Sequence, residues 1–331
     1  MSILATLEPI HTGAISIGDY DNDTDNDIVI TGYSTASNSA ETILYNNDNE
    51  QFNPVFTSLT DLQESDIEWG DYDNDGDLDI LISGFFVQSG ARITRIFENS
   101  AGNFINVSTG FNTLEGIDKG KVSWGDYDND GDLDILMIGK RSSSDVGYSK
   151  IYRNNLGDSL LPFFNILPVN LISLYGGDAT WCDYDNDGDL DIFLIGSQIN
   201  TSNNYVQFYK NRNELNNSNN QIPTTPNNLQ DSVILATGDV VLSWDNSFDN
   251  STPYNSLSYN LLIGDTPFGF NNLSPMSNIT TGKRRITKRG NTGLENIMVI
   301  KDLSEGKHYW KVQAVDNNFD GSPFQLLIVL M

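Results

Sequence analysis

Four times along the chain, aspartates alternate with other residues over nine positions: Asp19 to Asp27, Asp71 to Asp79, Asp126 to Asp134 and Asp183 to Asp191. Five carboxylates in nine residues repel one another unless a cation or full solvation relieves them. The second copy, Gly70-Asp71-Tyr72-Asp73-Asn74-Asp75-Gly76-Asp77-Leu78-Asp79-Ile80, spells out a calcium loop. Ca²⁺ takes ~6–8 oxygen ligands at ~2.3–2.6 Å in a flexible shell. Asp71, Asp73 and Asp75 can converge from alternate positions, and Gly76 supplies a turn at positive φ. The Asp77 carbonyl then faces the ion with its side chain left to solvent, and Asp79 closes the shell.

An EF-hand opens the same way but needs a bidentate Glu at loop position twelve and a helix on each side. Position twelve is apolar here each time, as Ile30, Ile82, Met137 and Leu194. The flanks are short β-branched runs bounded by Gly, which predicts strands. Acidic turns without metal are the other reading; four of them at fixed spacing argue against it.

The loops recur with periods of 52, 55 and 57 residues, a length typical of solenoids, propellers or arrays. Each unit repeats its flanks. A strand ending in Ile17, Trp69, Trp124 or Trp181 precedes the loop, and a second follows it (Ile28–Ile30, Ile80–Ile82, Ile135–Met137, Ile192–Leu194). A third ends in an aromatic residue with Asn soon after, at Tyr45, Phe97, Tyr152 and Tyr209, and a fourth is expected at 54–57, 104–107 and 163–166. Four antiparallel strands in about 50 residues build one propeller blade, and the Trp residues are expected to pack blade against blade.

These loops resemble the FG-GAP or VCBS-type repeat, known best from the integrin α-subunit propeller, over residues 1 to about 213. The resemblance implies a structural Ca²⁺ in each loop that joins the first two strands of a blade. Its ligands would be Asp71, Asp73, Asp75, Asp77 (carbonyl) and Asp79; Asp126, Asp128, Asp130, Asp132 (carbonyl) and Asp134; and Asp183, Asp185, Asp187, Asp189 (carbonyl) and Asp191. The first loop offers Asp19, Asp21, Asp23, Asp25 and Asp27. It carries Thr24 where the turn Gly belongs, and a β-branched residue at positive φ is strained. Three to four ions are expected. The family implies about seven blades and the chain has four loops. Residues 2–10 align with fourth strands and would complete the last blade and close a small ring, or they are the remnant of a preceding blade; an incomplete propeller is the favoured expectation.

Residues 211–228, rich in Asn, Ser, Thr and Pro, read as a linker between a propeller region at 1–210 and a β-sandwich at 229–331. The latter resembles a fibronectin type III domain, with Trp244 and Tyr259 on its second and third strands and Leu303–Tyr309 as a tyrosine corner. The expected fold class is therefore all-β. The only basic cluster, Lys283 to Arg289, reads as a solvated loop or as a contact for an acidic partner, the propeller's own loops included.

The 331 residues carry 45 acids against 18 bases, a formal charge of −27. Such a surface disfavours nucleic acid and anionic membranes, and no run is long enough to span a bilayer. One cysteine, Cys182, excludes an intrachain disulfide framework, and it stands where Gly18, Gly70 and Gly125 stand in the other repeats. With two histidines and no nucleophile or phosphate motif, the chain is not expected to be an enzyme. Expected instead is a secreted or cell-surface calcium-binding module for adhesion or for a protein or carbohydrate ligand, its export signal outside this chain. The alternative is a non-catalytic accessory region of a secreted polysaccharide-active enzyme.

Overall fold

The computed structural model describes residues 5–48, 50–109, 113–141, 146–156, 163–185, 187–199, 201, 203–212, 220–267, 269, 273, 276–301 and 303–330, the side chains of 326–330 aside. The described residues are all-β and contain no helix.

Three four-stranded antiparallel meanders lead the chain. They are β1 (Ile10–Gly18), β2 (Asp27–Ser34), β3 (Ser39–Asp48) and β4 (Gln51–Val55); β5 (Gln63–Gly70), β6 (Asp79–Phe86), β7 (Ala91–Ser100) and β8 (Asn103–Asn106); and β9 (Asp118–Gly125), β10 (Asp134–Lys140), β11 (Gly147–Asn154) and β12 (Phe164–Ile166). A fourth sheet has three strands, β13 (Tyr175–Cys182), β14 (Asp191–Gln198) and β15 (Asn203–Tyr209). Middle strands such as Ile80-Leu81-Ile82 are buried on both sides, which is why they read as unbroken apolar runs and not as alternation. The first strands of successive blades lie side by side, β1 by β5, β5 by β9 and β9 by β13.

Each junction between blades repeats the same packing. Trp69 stacks on Tyr20 of the blade before and meets Phe104 of its own; Trp124 does so with Tyr72 and Phe164, and Trp181 packs on Tyr127. All three indoles are buried, as expected. They lie so close to Gly18, Gly70 and Gly125 that a Cβ on Gly70 would stand 2.4 Å from the Trp124 ring. Polar bonds cross the junctions too. The Asn after each third strand donates to the preceding blade's loop Tyr carbonyl: Asn99 to Tyr20 at 2.8 Å, Asn154 to Tyr72 at 2.7 Å and Asn211 to Tyr127 at 2.8 Å.

Residues 5–9 do not complete the fourth blade. The Glu8 amide donates to Tyr45 Oη at 3.1 Å, just as the Glu115 and Ile172 amides donate to Tyr152 and Tyr209 within their own blades. This stretch is the lead-in to β1, held to its own blade by the amide-to-phenol bond that recurs in the third and fourth blades.

The C-terminal unit is two three-stranded sheets, β16 (Gln230–Val233), β17 (Val240–Ser243) and β19 (Ile297–Ile300) facing β18 (Ser258–Gly264), β20 (Lys307–Val315) and β21 (Gln325–Leu330). Trp244, Tyr259 and Trp310 meet in the core between the sheets. The phenol that bonds back to the backbone is Tyr259, whose Oη accepts from the Ser247 amide at 3.1 Å; Tyr309 lies under Lys307 instead. Residues 213–219 of the expected linker lie outside the described residues. Its described remainder is bound: Asn211 belongs to the fourth blade, Asn220 donates to Asp316 and the Thr224 amide to the Phe248 carbonyl.

Candidate metal centres

In every loop the aspartates divide the work in the same way. The first binds its own turn: Asp71 Oδ1 accepts from the Asp75 amide at 3.0 Å, and Asp19, Asp126 and Asp183 each accept from the matching amide of their own loop at 3.1 Å. The last ties loop to sheet: Asp79 accepts from the Tyr72 amide at 3.1 Å and the Asn99 amide at 2.8 Å, a pattern kept at Asp27, Asp134 and Asp191. These bonds aim the first, second and last carboxylates at one point. Oxygens of Asp19, Asp21 and Asp27, of Asp71, Asp73 and Asp79, of Asp126, Asp128 and Asp134, and of Asp183, Asp185 and Asp191 lie within 4.8 Å of one another in each set.

The other sequence-predicted ligands stand elsewhere. Asp23, Asp75, Asp130 and Asp187 are not in these triads; each accepts the amide two residues on, at 2.8, 2.9, 3.1 and 3.2 Å, an Asx turn that competes for the same oxygen. The expectation that the Asp77 side chain faces solvent is overturned. Asp77 Oδ1 accepts from Asn22 of the preceding loop at 2.9 Å, Asp132 from Asn74 at 2.7 Å and Asp189 from Asn129 at 2.8 Å. Asp25 pairs with Lys301 of the C-terminal unit at 3.1 Å. These side chains stitch neighbours together because the loops stand shoulder to shoulder along the arc. Thr24 does take the turn position at φ 77°, beside Gly76 at 98°, Gly131 at 96° and Gly188 at 87°.

Burial and crowding make the triads costly as bare carboxylates. Burial, followed by neighbouring aspartates, pushes Asp73 up to about 7. Burial likewise raises Asp79 to about 9, Asp19 and Asp27 to about 7, and Asp126 and Asp134 well above the carboxylate range. Asp73 Oδ1 is buried without a hydrogen-bond partner among the described residues. Such oxygens fit a proton or a hard cation.

A residue that sequence reasoning passed over tunes each set. It lies between the third-strand aromatic and its Asn, and is Asn46, Glu98, Arg153 or Lys210. Asn46 donates to Asp21 at 2.8 Å. Glu98 accepts from Tyr72 Oη at 3.2 Å and adds negative charge beside Asp73. Arg153 sits 2.7 Å from Asp128 and 2.8 Å from Asp130, while Lys210 pairs with Asp185 and, at 3.0 Å, Asp187.

The C-terminal unit covers this loop face. Asn255 donates to the Asn74 carbonyl at 2.6 Å, Asn317 to the Gly131 carbonyl at 2.8 Å, and Asn318 to the Gly188 carbonyl. Thr287 donates to the Trp181 carbonyl at 2.7 Å. From the basic cluster, Arg289 is buried beside Asp71 and Glu68; burial pulls its pKa down against the opposing pull of those acids. Its Nη1 and Nη2 have no hydrogen-bond partner among the described residues. Arg289 borders a cleft of about 710 Å³ between the first strands and segment 287–293, along with Glu68, Lys121 and Asp178. Cys182 is half-buried, and burial with the adjacent Asp191 and Asp183 pushes its thiol up to about 11, which keeps it protonated at neutral pH.

Residues 19–82 match the model of an FG-GAP-like repeat. No curated protein matches the chain. Among solved structures, the extracellular domain of a putative hybrid two-component system from B. thetaiotaomicron is similar at 13% identity and TM-score 0.32, over 95% of this chain and 37% of that one. A fungal alcohol oxidase of the AA5 family in complex with copper is similar at 12% identity and TM-score 0.30, over 97% and 86%. The chain thus spans 37% of the length of the first.

Proposed function

We propose that this chain is an extracellular or cell-surface binding module whose blade loops hold structural Ca²⁺. The observation that carries the reading is the fourfold carboxylate triad, with oxygens within 4.8 Å and with pKa values that burial raises in the first three blades. Asp71, Asp73 and Asp79 hold the ion in the second blade, and their counterparts do so in the others. An ion there fixes the segment between β5 and β6, through which Asn74 and Asp77 reach both neighbouring blades. It also fixes the surface on which the C-terminal unit sits. Calcium is then part of the scaffold and takes no part in chemistry.

With the loop face covered, a protein or carbohydrate ligand is received in the cleft beside Arg289. Arg289 lines that cleft, and a guanidinium suits an anionic or hydroxyl oxygen brought by the ligand. An FG-GAP-like match and calcium loops suited to millimolar extracellular calcium both support a place outside the cytosol; no helix of the described residues is long and apolar enough to cross a membrane. Calorimetric titration of chelator-stripped protein with Ca²⁺ tests the metal reading: three to four sites per chain are expected, and no uptake at millimolar calcium would refute it. Screening glycans and matrix proteins against Arg289→Ala tests the ligand reading separately, since that variant keeps every triad.

A further inference from the structure

The three internal junctions define what each blade offers its neighbours, and the two ends of the arc offer the same surfaces, uncovered among the described residues. On its leading side, a blade presents the cross-strand pair of its second and third strands. Val29–Leu44, Leu81–Ile96 and Leu136–Ile151 fill this role and are buried under the next blade. In the fourth blade the matching pair is Phe193–Phe208, 37% and 41% exposed, with Val206 beyond it at 66%. On its trailing side a blade presents its first strand. Ile67 and Trp69, Val122 and Trp124, and Ala179 and Trp181 are buried in this role, yet the matching Ile15 and Ile17 of the first blade are 59% and 61% exposed.

The polar bonds are cut at the same places. Asn47 matches Asn99, Asn154 and Asn211. Its Nδ2 keeps the within-blade bond to the Asn26 carbonyl at 3.1 Å, and among the described residues it has no preceding loop Tyr carbonyl to meet.

Two departures from the repeat then explain each other. Internal junctions place a Gly opposite a Trp, because a Cβ on Gly70 or Gly125 would stand 2.4 or 2.8 Å from the indole. At the ends, the Gly position is Cys182 and the Trp position is Ile17. A thiol added on one side and an indole reduced to a sec-butyl group on the other conserve the packed volume, as interiors require. The match fits Cys182 and Ile17 facing each other, and both flanking surfaces are exposed among the described residues.

We infer that two copies of this chain close a ring of eight blades, the fourth blade of each packing on the first blade of the other, with Cys182 against the partner's Ile17. The ring is an isologous pair of identical junctions with no sheet face left open, which is how closed symmetry disposes of a sticky edge.

Light scattering on the eluting protein at tens of micromolar should give twice the chain mass of 36.7 kDa. Ile17→Trp should weaken association at least tenfold, because an indole then meets the thiol side chain. Cys182→Gly combined with Ile17→Trp should restore the dimer by recreating the internal junction. As a check that does not depend on packing, Val206→Asp lies at an exposed site and should give a folded monomer. Oxidised Ile17→Cys should bridge to Cys182 of the second copy and run as a dimer on a non-reducing gel. A wild-type monomer, an Ile17→Cys variant that bridges to Cys182 within its own chain, or a double variant no better than Ile17→Trp alone would overturn the inference.

Discussion

Arg153 Nε lies 2.7 Å from Asp128 Oδ2, so in the third blade an internal cation already sits on the carboxylates that a metal would use. Glu98 holds the same sequence position in the second blade and brings a negative charge in place of a positive one. Ca²⁺ affinity is therefore expected to be graded across the loops and lowered at the third and fourth blades, where Arg153 and Lys210 already pair with the carboxylates. Arg153→Gln should tighten Ca²⁺ at the third blade by about tenfold, since removing an opposing cation is worth about one pKa-scale step. Calorimetric titration reads this directly, and an unchanged isotherm would mean that Arg153 swings away without cost.

Stability should depend on pH with opposite signs in chelator and in calcium. Burial raises Asp71 to about 6, Asp73 to about 7 and Asp79 to about 9, above an unfolded value of about 3.9. A carboxyl with a raised folded pKa contributes stability that is full below the unfolded pKa and lost as pH rises through the folded one. In chelator the Tm should fall from about pH 4, near the unfolded value, to about pH 9, most steeply below about pH 6 where all three groups contribute. Bound Ca²⁺ holds these groups ionised and lowers their pKa values, so in calcium the Tm should fall on acidification instead. Parallel profiles would contradict this.

Asp71→Asn with Asp79→Asn separates the metal role from the loop's own hydrogen bonds. Each amide oxygen can still accept one bond, from Asp75 or Asn99, while the Gly76 and Tyr72 amides lose their acceptors in both media and the charge that holds an ion is gone. In millimolar calcium the double variant should melt lower than the parent and bind one ion fewer. In chelator the gap should shrink or reverse, because two buried charges have been removed. A loss of equal size in both media would mean that the carboxylates serve only the loop.

Thr24 holds φ at 77°, a region that costs a non-glycine residue of order 1–3 kcal/mol. Thr24→Gly should therefore stabilise the chain by about 1 kcal/mol in urea unfolding. No gain would mean that the side chain repays its strain.

Gly76 and Gly131 share a loop position and nearly the same φ, 98° and 96°. A Cβ at Gly76 meets nothing closer than 3.5 Å, whereas one at Gly131 would stand 2.0 Å from the Ser251 carbonyl of the C-terminal unit. Both Ala variants carry the backbone strain, and only Gly131→Ala also unseats the C-terminal unit. It should melt in two steps where Gly76→Ala melts in one, by differential scanning calorimetry.

Much of the blade region could be read from the letters, because each blade states the same local geometry again. The strand after each loop, the buried Trp residues and the positive φ at Thr24 all follow from residues within a few positions of one another. What escaped depends on distant partners. Asp77 looks solvent-facing until Asn22, 55 residues earlier, is placed beside it. The Asx turn made by the third aspartate of each loop, through one of its two oxygens, is also set by the folded turn. Arg153 and Lys210 did leave a signal, since theirs is the one position that varies in charge between an invariant aromatic and an invariant Asn. The docking of Arg289 against Asp71 and Glu68 needed the third dimension, although the basic cluster had named an acidic partner in general terms.

Native mass spectrometry of the chelator-stripped protein, returned to millimolar calcium, counts the ions on each chain. Three to four Ca²⁺ per chain are expected, lost in acid together with the calcium-dependent stability. A chain that binds no calcium, and melts at the same temperature with or without it, would show that the loops are not metal centres.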